Sequence, residues 1–209
     1  GILREWPADV PDPPDPTPAV KELAAAAAKI QTPCGGWTYL VMPDGSHPFC
    51  GHNVVEGLWR WDQRKVQLPP KVLDRGMADL ARCMDSEGWT VYYHDGTKVK
   101  YREWQNPGAA GRSVQCNHFL YRAGKAGQDR LQKFMDLFFA YHDEYDRRAN
   151  AGGSGTHQPP YGIHGGYVKH SYYFVGMALG DLDYSPANDR YRRWLTEQLV
   201  FSLADNTKR

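Results

Sequence analysis

The sequence predicts an all-α protein built of helical hairpins. Three observations carry that prediction. Apolar residues recur at helical spacing in one stretch after another. Strand-like alternation is nearly absent, "WTVYY" at 89–93 being the exception. A unit of loop, short helix, turn and longer helix recurs three times after a lead helix. A proline-rich tether at 1–17 precedes a helical domain at 18–209.

Taken in order, "PADVPDPPDPTP" (7–18) holds six prolines and no amphipathic pattern, so it reads as extended chain. Thr17 and Pro18 supply an N-cap and a first-turn proline. The lead helix places Val20, Leu23, Ala24, Ala27 and Ile30 on one face. The first unit opens with "CGGWTYLVMPDGS" (34–46), continues with a helix at about 53–63, turns at "LPP", and closes with a helix at about 70–84. That last helix has Leu73, Met77, Leu80, Ala81 and Met84 in register. The second unit repeats the Gly-Trp loop in "EGWTVYYHDG" (87–96). Its short helix is "SVQCNHFLYRAG" (113–124), with Gly124 as C-cap, and its partner at 127–148 carries Leu131, Phe134 and Phe138. A third, degenerate unit runs from "GGSGTHQPPYGIHGG" (152–166) through helices at 168–180 and 187–204. The paired helices thus span 53–84, 113–148 and 168–204.

Hydrophobic content of 41% with 23% charged residues marks a globular chain of 209 residues. A net charge of +1 with basic residues scattered among acids excludes a nucleic-acid partner. No apolar run reaches the length of a membrane span. Four cysteines occur without any Cys-x-x-Cys pair, against a zinc ribbon or a thioredoxin-like motif. The compartment stays open, a secreted or periplasmic setting being preferred. "NAGGSGTHQ" (150–158) lacks Gly-Lys-Ser/Thr and follows no strand, so it reads as a connector rather than a phosphate loop.

The Gly-Gly-Trp-x-Tyr loop with its Asp-Gly turn, inner helix, proline turn and outer helix resembles the prenyltransferase and squalene-oxidase type of repeat. The resemblance covers about 34–204 and implies a toroid, or with three pairs a partial toroid, whose inner helices line a cavity. Particular activities of that superfamily fit less well. The Asp-x-Asp-Asp of triterpene cyclases is absent, "GDLDYS" (180–185) being the nearest stretch, and Asp181 and Asp183 read as helix-ending residues. Thioester domains carry Cys-Gly-Glu-Gln, but His52 and Asn53 follow Cys50-Gly51 here. "VKHSYYFVGMAL" is similar to the zinc-binding helix of protein prenyltransferases around His170 and Tyr172, without convincing partners for the other ligands.

Cys50-Gly51-His52, Cys116-Asn117-His118 and Val168-Lys169-His170 align as three inner-helix starts. On neighbouring helices about 8–10 Å apart, Cys50, His52, Cys116, His118 and His170 converge as candidate metal ligands, and zinc is the ion that set suits. The same residues also suit a packing role, a Cys50–Cys116 disulfide, or a lone reactive cysteine. A carbohydrate reading runs beside these. Asn117, His118, His170 and Tyr172 resemble the equipment of α/α-toroid polysaccharide lyases, where asparagine neutralises a carboxylate and histidine or tyrosine moves a proton. Trp37, Trp59, Trp61 and Trp89 then serve either as sugar platforms or as packing plugs. The expectation is a binding module for a protein partner or carbohydrate, using a concave aromatic and histidine-lined face. Its rival is an enzyme, zinc-dependent or lyase-like, at the inner-helix ends.

Overall fold

A computed structural model of the chain describes residues 15–39, 45–94, 105–150 and 168–206. The described residues form an all-α structure of seven helices: α1 (Thr17–Lys29), α2 (Pro48–Gln63), α3 (Val72–Arg82), α4 (Gln105–Arg122), α5 (Gln128–Asn150), α6 (Val168–Asp181) and α7 (Pro186–Asn206). Strand-like pairing among them is limited to two isolated bridges, Ser46 with His94 and Met84 with Thr90. The tether up to residue 14 and the loop at 152–166 lie outside the described residues.

Each even-numbered helix packs on the one that follows, α2 on α3, α4 on α5 and α6 on α7. The expected short-then-long order fails in the first pair, where α2 has 16 residues and α3 has 11. The even-numbered helices also meet in sequence, α2 against α4 and α4 against α6. Helix α4 therefore belongs to two cores. Its Cys116, Phe119 and Leu120 join Ala24, Trp37, Val55, Leu58 and Leu80 from α1 to α3. Its Ala110 and Val114 join Leu131, Phe134, Phe138, Val175, Leu179 and Leu195 from α5 to α7.

The helix ends show what sequence signals can miss. Thr17 is the first residue of α1 and not its N-cap: Pro16 holds that position, and Asp15 Oδ1 accepts the Thr17 N–H at 3.0 Å. Helix α4 begins eight residues earlier than glycine-rich "QNPGAAGRS" suggests. Ala109 and Ala110 are buried there, and the packing of Ala110 in the core shared with α5 to α7 outweighs the poor helix propensity of the glycines. Its other end is as expected. Gly124 adopts φ +69°, the Gly124 N–H bonds Tyr121 O at 3.0 Å, and the Lys125 N–H bonds Leu120 O at 2.7 Å. That is the paired pattern of a Schellman cap. No described helix is long and apolar enough to cross a membrane.

Candidate functional site

The helix boundaries change the meaning of the Cys-x-His pattern. Cys50 and His52 lie in the first turn and a half of α2, whereas Cys116 and His118 lie deep inside α4. His118 reaches Asp181, the last residue of α6, at 2.8 Å. His170 is eleven residues before Asp181, about 16 Å along the helix axis. Its side chain lies outside the described residues, but the backbone register sets it about three turns from the level of His118. Among the described residues the expected ligand set does not come together as a metal-sized group. All four cysteines are free thiols. Cys116 is fully buried in the α1–α4 core, where loss of solvent pushes its thiol up to about 12; burial likewise pushes half-buried Cys50 up to about 11. Neither is a ready nucleophile.

His52 and His118 instead belong to a polar ladder that joins α2, α4 and α6. His52 is fully buried, its Nδ1 bonded to Gln115 Nε2 at 2.8 Å and its ring set edge-on against Phe119 and Phe174. Its Nε2 stands 3.2 Å from Glu56 Oε2, near enough to attract but poorly aligned for a hydrogen bond. Glu56 accepts from Arg60 Nε at 3.0 Å and faces Arg122 at 3.7 Å. Arg122 in turn lies 3.5 Å from Asp181, which accepts from His118 Nε2. Burial alone would raise the Glu56 carboxyl; His52 and Arg60 outweigh it and hold it at about 2. Burial pulls His118 down, only partly offset by Asp181, so its ring stays neutral near neutrality. Asn117, expected as a catalytic amide, donates to Gly88 O at 2.9 Å and Ser113 O at 2.7 Å and accepts from Arg130. It ties the second Gly-Trp loop to α4 and α5. Tyr172 pairs its hydroxyl with His142 Nε2 at 2.6 Å. It does not bond His118 or Asn117 in any described interaction.

The tryptophans divide the same way. Trp37 is 3% exposed, donates its indole N–H to Ala27 O at 2.9 Å and wedges against Gly76, so it is a plug. Trp89 meets Phe134 edge-on at 5.0 Å.

A partly exposed aromatic cluster lies elsewhere, where the two Gly-Trp loops meet. The Ser46–His94 bridge brings the loops side by side, each backbone N–H bonding the other's carbonyl at 2.9 and 3.1 Å. Phe49 and Tyr92 stack at 5.4 Å with ring planes 19° apart, and half-exposed Tyr39 bonds Tyr92 through their hydroxyls. Beneath them His47, 1% exposed, is ringed by Tyr39, Phe49, Tyr92 and Tyr93 at 4.5–5.8 Å. Burial, reinforced by neighbouring His94, pulls His47 down to about 4. The unfolded ring binds its proton near pH 6.5 and the folded ring does not, so folding stability should fall as pH drops from about 6.5 to 4. The expected loss is roughly 3 kcal/mol, read from urea denaturation at pH 7 and pH 4. His47→Asn should remove most of it.

Behind this surface, sequence reasoning missed a second convergence. Cys34 Sγ, an Asp79 carboxylate oxygen and a His94 ring nitrogen all lie within 4.8 Å of one another. Their frame is well braced. Thr32 bonds Gly36 O at 3.1 Å and Cys34 Sγ at 3.0 Å, while Arg75 pins Thr32 O at 2.8 Å. Gly35, at φ +100°, lets the loop lie directly on Arg75 O. Asp79 Oδ1 meets His94 Nε2 at 2.9 Å and Arg82 at 3.3 Å. Burial, with a smaller push from the Asp79 charge, raises the Cys34 thiol. A signal existed in the sequence: Val72, Gly76 and Asp79 share the buried face of α3 at helical spacing, an acid where the amphipathic pattern wants none. Comparison with protein-family models, curated proteins and solved structures found no match.

Proposed function

We propose that the chain is an α/α-hairpin module of the partial-toroid kind that binds a carbohydrate on the aromatic surface formed by Tyr39, Phe49 and Tyr92. The observation that carries this reading is the contrast between a stacked, partly exposed Phe49–Tyr92 pair and the completely buried rings of His52 and His118. A sugar ring needs an apolar face to lie on, and tyrosine offers one together with a polar tip for its hydroxyls. The neighbouring order of α2, α4 and α6 supports the hairpin arc. The ligand surface in this reading is the loop edge of that arc and not a cavity lined by His52, His118 and His170.

Affinity electrophoresis through gels containing a neutral β-glucan, a xylan or a polyuronate tests it. At least one polymer should retard the protein, and Tyr92→Ala should weaken retention about tenfold, or about 1.4 kcal/mol. His118→Asn should leave retention unchanged. No retardation by any of the three, or equal retardation of Tyr92→Ala, overturns the reading.

One observation favours a lyase-like enzyme as the second reading. Tyr172 and His142 form a tyrosine–histidine pair, and His142 also lines a cavity of about 400 Å³ with Asp136, Arg190 and Trp194. In that reading Tyr172 keeps its proton-transfer role with His142 as partner, and it predicts a new ultraviolet absorbance from unsaturated sugar ends when polyuronate is incubated with the protein.

A further inference from the structure

We propose that Cys34, Asp79 and His94 form a binding site for one zinc-class divalent cation, with its fourth coordination position facing Ser46. The proposal stands independently of sugar binding. The three ligand atoms already lie within 4.8 Å of one another. A tetrahedral ion with bonds of about 2.0–2.3 Å spaces its ligands by roughly 3.3–3.8 Å, so small side-chain rotations close the set. Thiol, imidazole and carboxylate together select zinc and its neighbours over calcium or magnesium, which take oxygen ligands.

Two separate features point to an occupant. Ser46 is fully buried, yet its Oγ has no hydrogen-bond partner, a costly state for a hydroxyl. That oxygen and Asp79 Oδ2 each lie 2.1 Å from the point where a Cβ on Gly36 would sit. Glycine at position 36 thus keeps open the space between the orphaned hydroxyl and the carboxylate. A cation there, or a water bound to it, satisfies Ser46 Oγ. Asp79 and a Cys34 thiolate balance the ion's two charges. Binding replaces the Cys34 S–H bond with an S–metal bond and releases that proton to solvent, while His94 gives up its Nε2–H bond to Asp79 Oδ1, the ring proton moving to Nδ1, so that Nε2 offers the lone pair of a neutral imidazole.

The chelator-stripped chain is titrated with Co²⁺ and then Zn²⁺. One Co²⁺ per chain should bind, with the sulfur-to-cobalt charge-transfer band of a thiolate ligand, and one equivalent of Zn²⁺ should displace it. Cys34→Ser should abolish the band and His94→Ala should weaken binding at least tenfold. Cys50→Ser and Cys116→Ser should bind as the unaltered chain does. A second readout needs no variant: Zn²⁺ should slow iodoacetamide labelling of Cys34, followed by peptide mass, and leave Cys50 labelling unchanged. Absence of stoichiometric Co²⁺, a band that survives Cys34→Ser but vanishes with Cys50→Ser or Cys116→Ser, or Cys34 labelling indifferent to Zn²⁺ overturns the proposal.

Discussion

Glu56→Gln should destabilise the fold by about 2–4 kcal/mol, measured as the shift in urea unfolding free energy at pH 7. Glu56 is the only carboxylate among the described residues that faces His52, Arg60 and Arg122 together. Its side chain is only 9% exposed, whereas those of Arg60 and Arg122 are 45% and 31% exposed. The loss therefore stays below that of a fully buried pair, because water can reach the two orphaned guanidinium groups. The pH profile gives an independent reading. With a folded carboxyl near 2 and an unfolded one near 4.5, Glu56 stabilises the fold fully above about pH 4.5. That contribution disappears as pH falls toward 2, since the unfolded chain takes up the proton first. The glutamine variant should lack this lower limb of the acid transition and keep the upper limb due to His47. An unchanged profile in Glu56→Gln would mean that the ladder does not hold α2 to α4.

Phe134→Ala should cost about 3–5 kcal/mol, the largest loss expected from a single apolar side chain here. Phe134 is fully buried in the α4–α7 core and receives the edge of Trp89 from the second Gly-Trp loop. A double-mutant cycle with Trp89→Leu should show about 0.5–1.5 kcal/mol of coupling. Additivity would remove Trp89 from its role as a packing plug and return it to the set of candidate ligand platforms.

Helix type was legible in the sequence wherever apolar spacing was regular. Leu131, Phe134 and Phe138 on α5, and Leu80 on α3, are buried as their period demands. Boundaries failed where burial, not propensity, decided them, as at Ala109 and Ala110. That error propagated to the site. Once α4 starts at Gln105, Cys116 and His118 are mid-helix residues, and their likeness to Cys50 and His52 no longer implies a common level in the bundle. The spacing did mark the right helix faces, because His52 and His118 both turn inward. Their partners were illegible: Asp181 looked like a helix end, and it is one, but it also reaches across to His118 and Arg122. The Cys34–Asp79–His94 group was hidden for a different reason. It draws on a loop, a helix and a bridge residue spread over 60 positions, and the Ser46–His94 pairing helps bring them together.

The central claim is that the helix histidines join helices while ligand contact occurs over His47. Imidazole resonances of the chain, followed by NMR during titration with an oligosaccharide of the polymer that retards it, test this most directly. The account predicts that the His47 ring signals shift, since four aromatic neighbours of the platform surround them. His52 and His118 should stay where they are. Shifts at His52 and His118 with a silent His47 would contradict it and return the site to the inner helices.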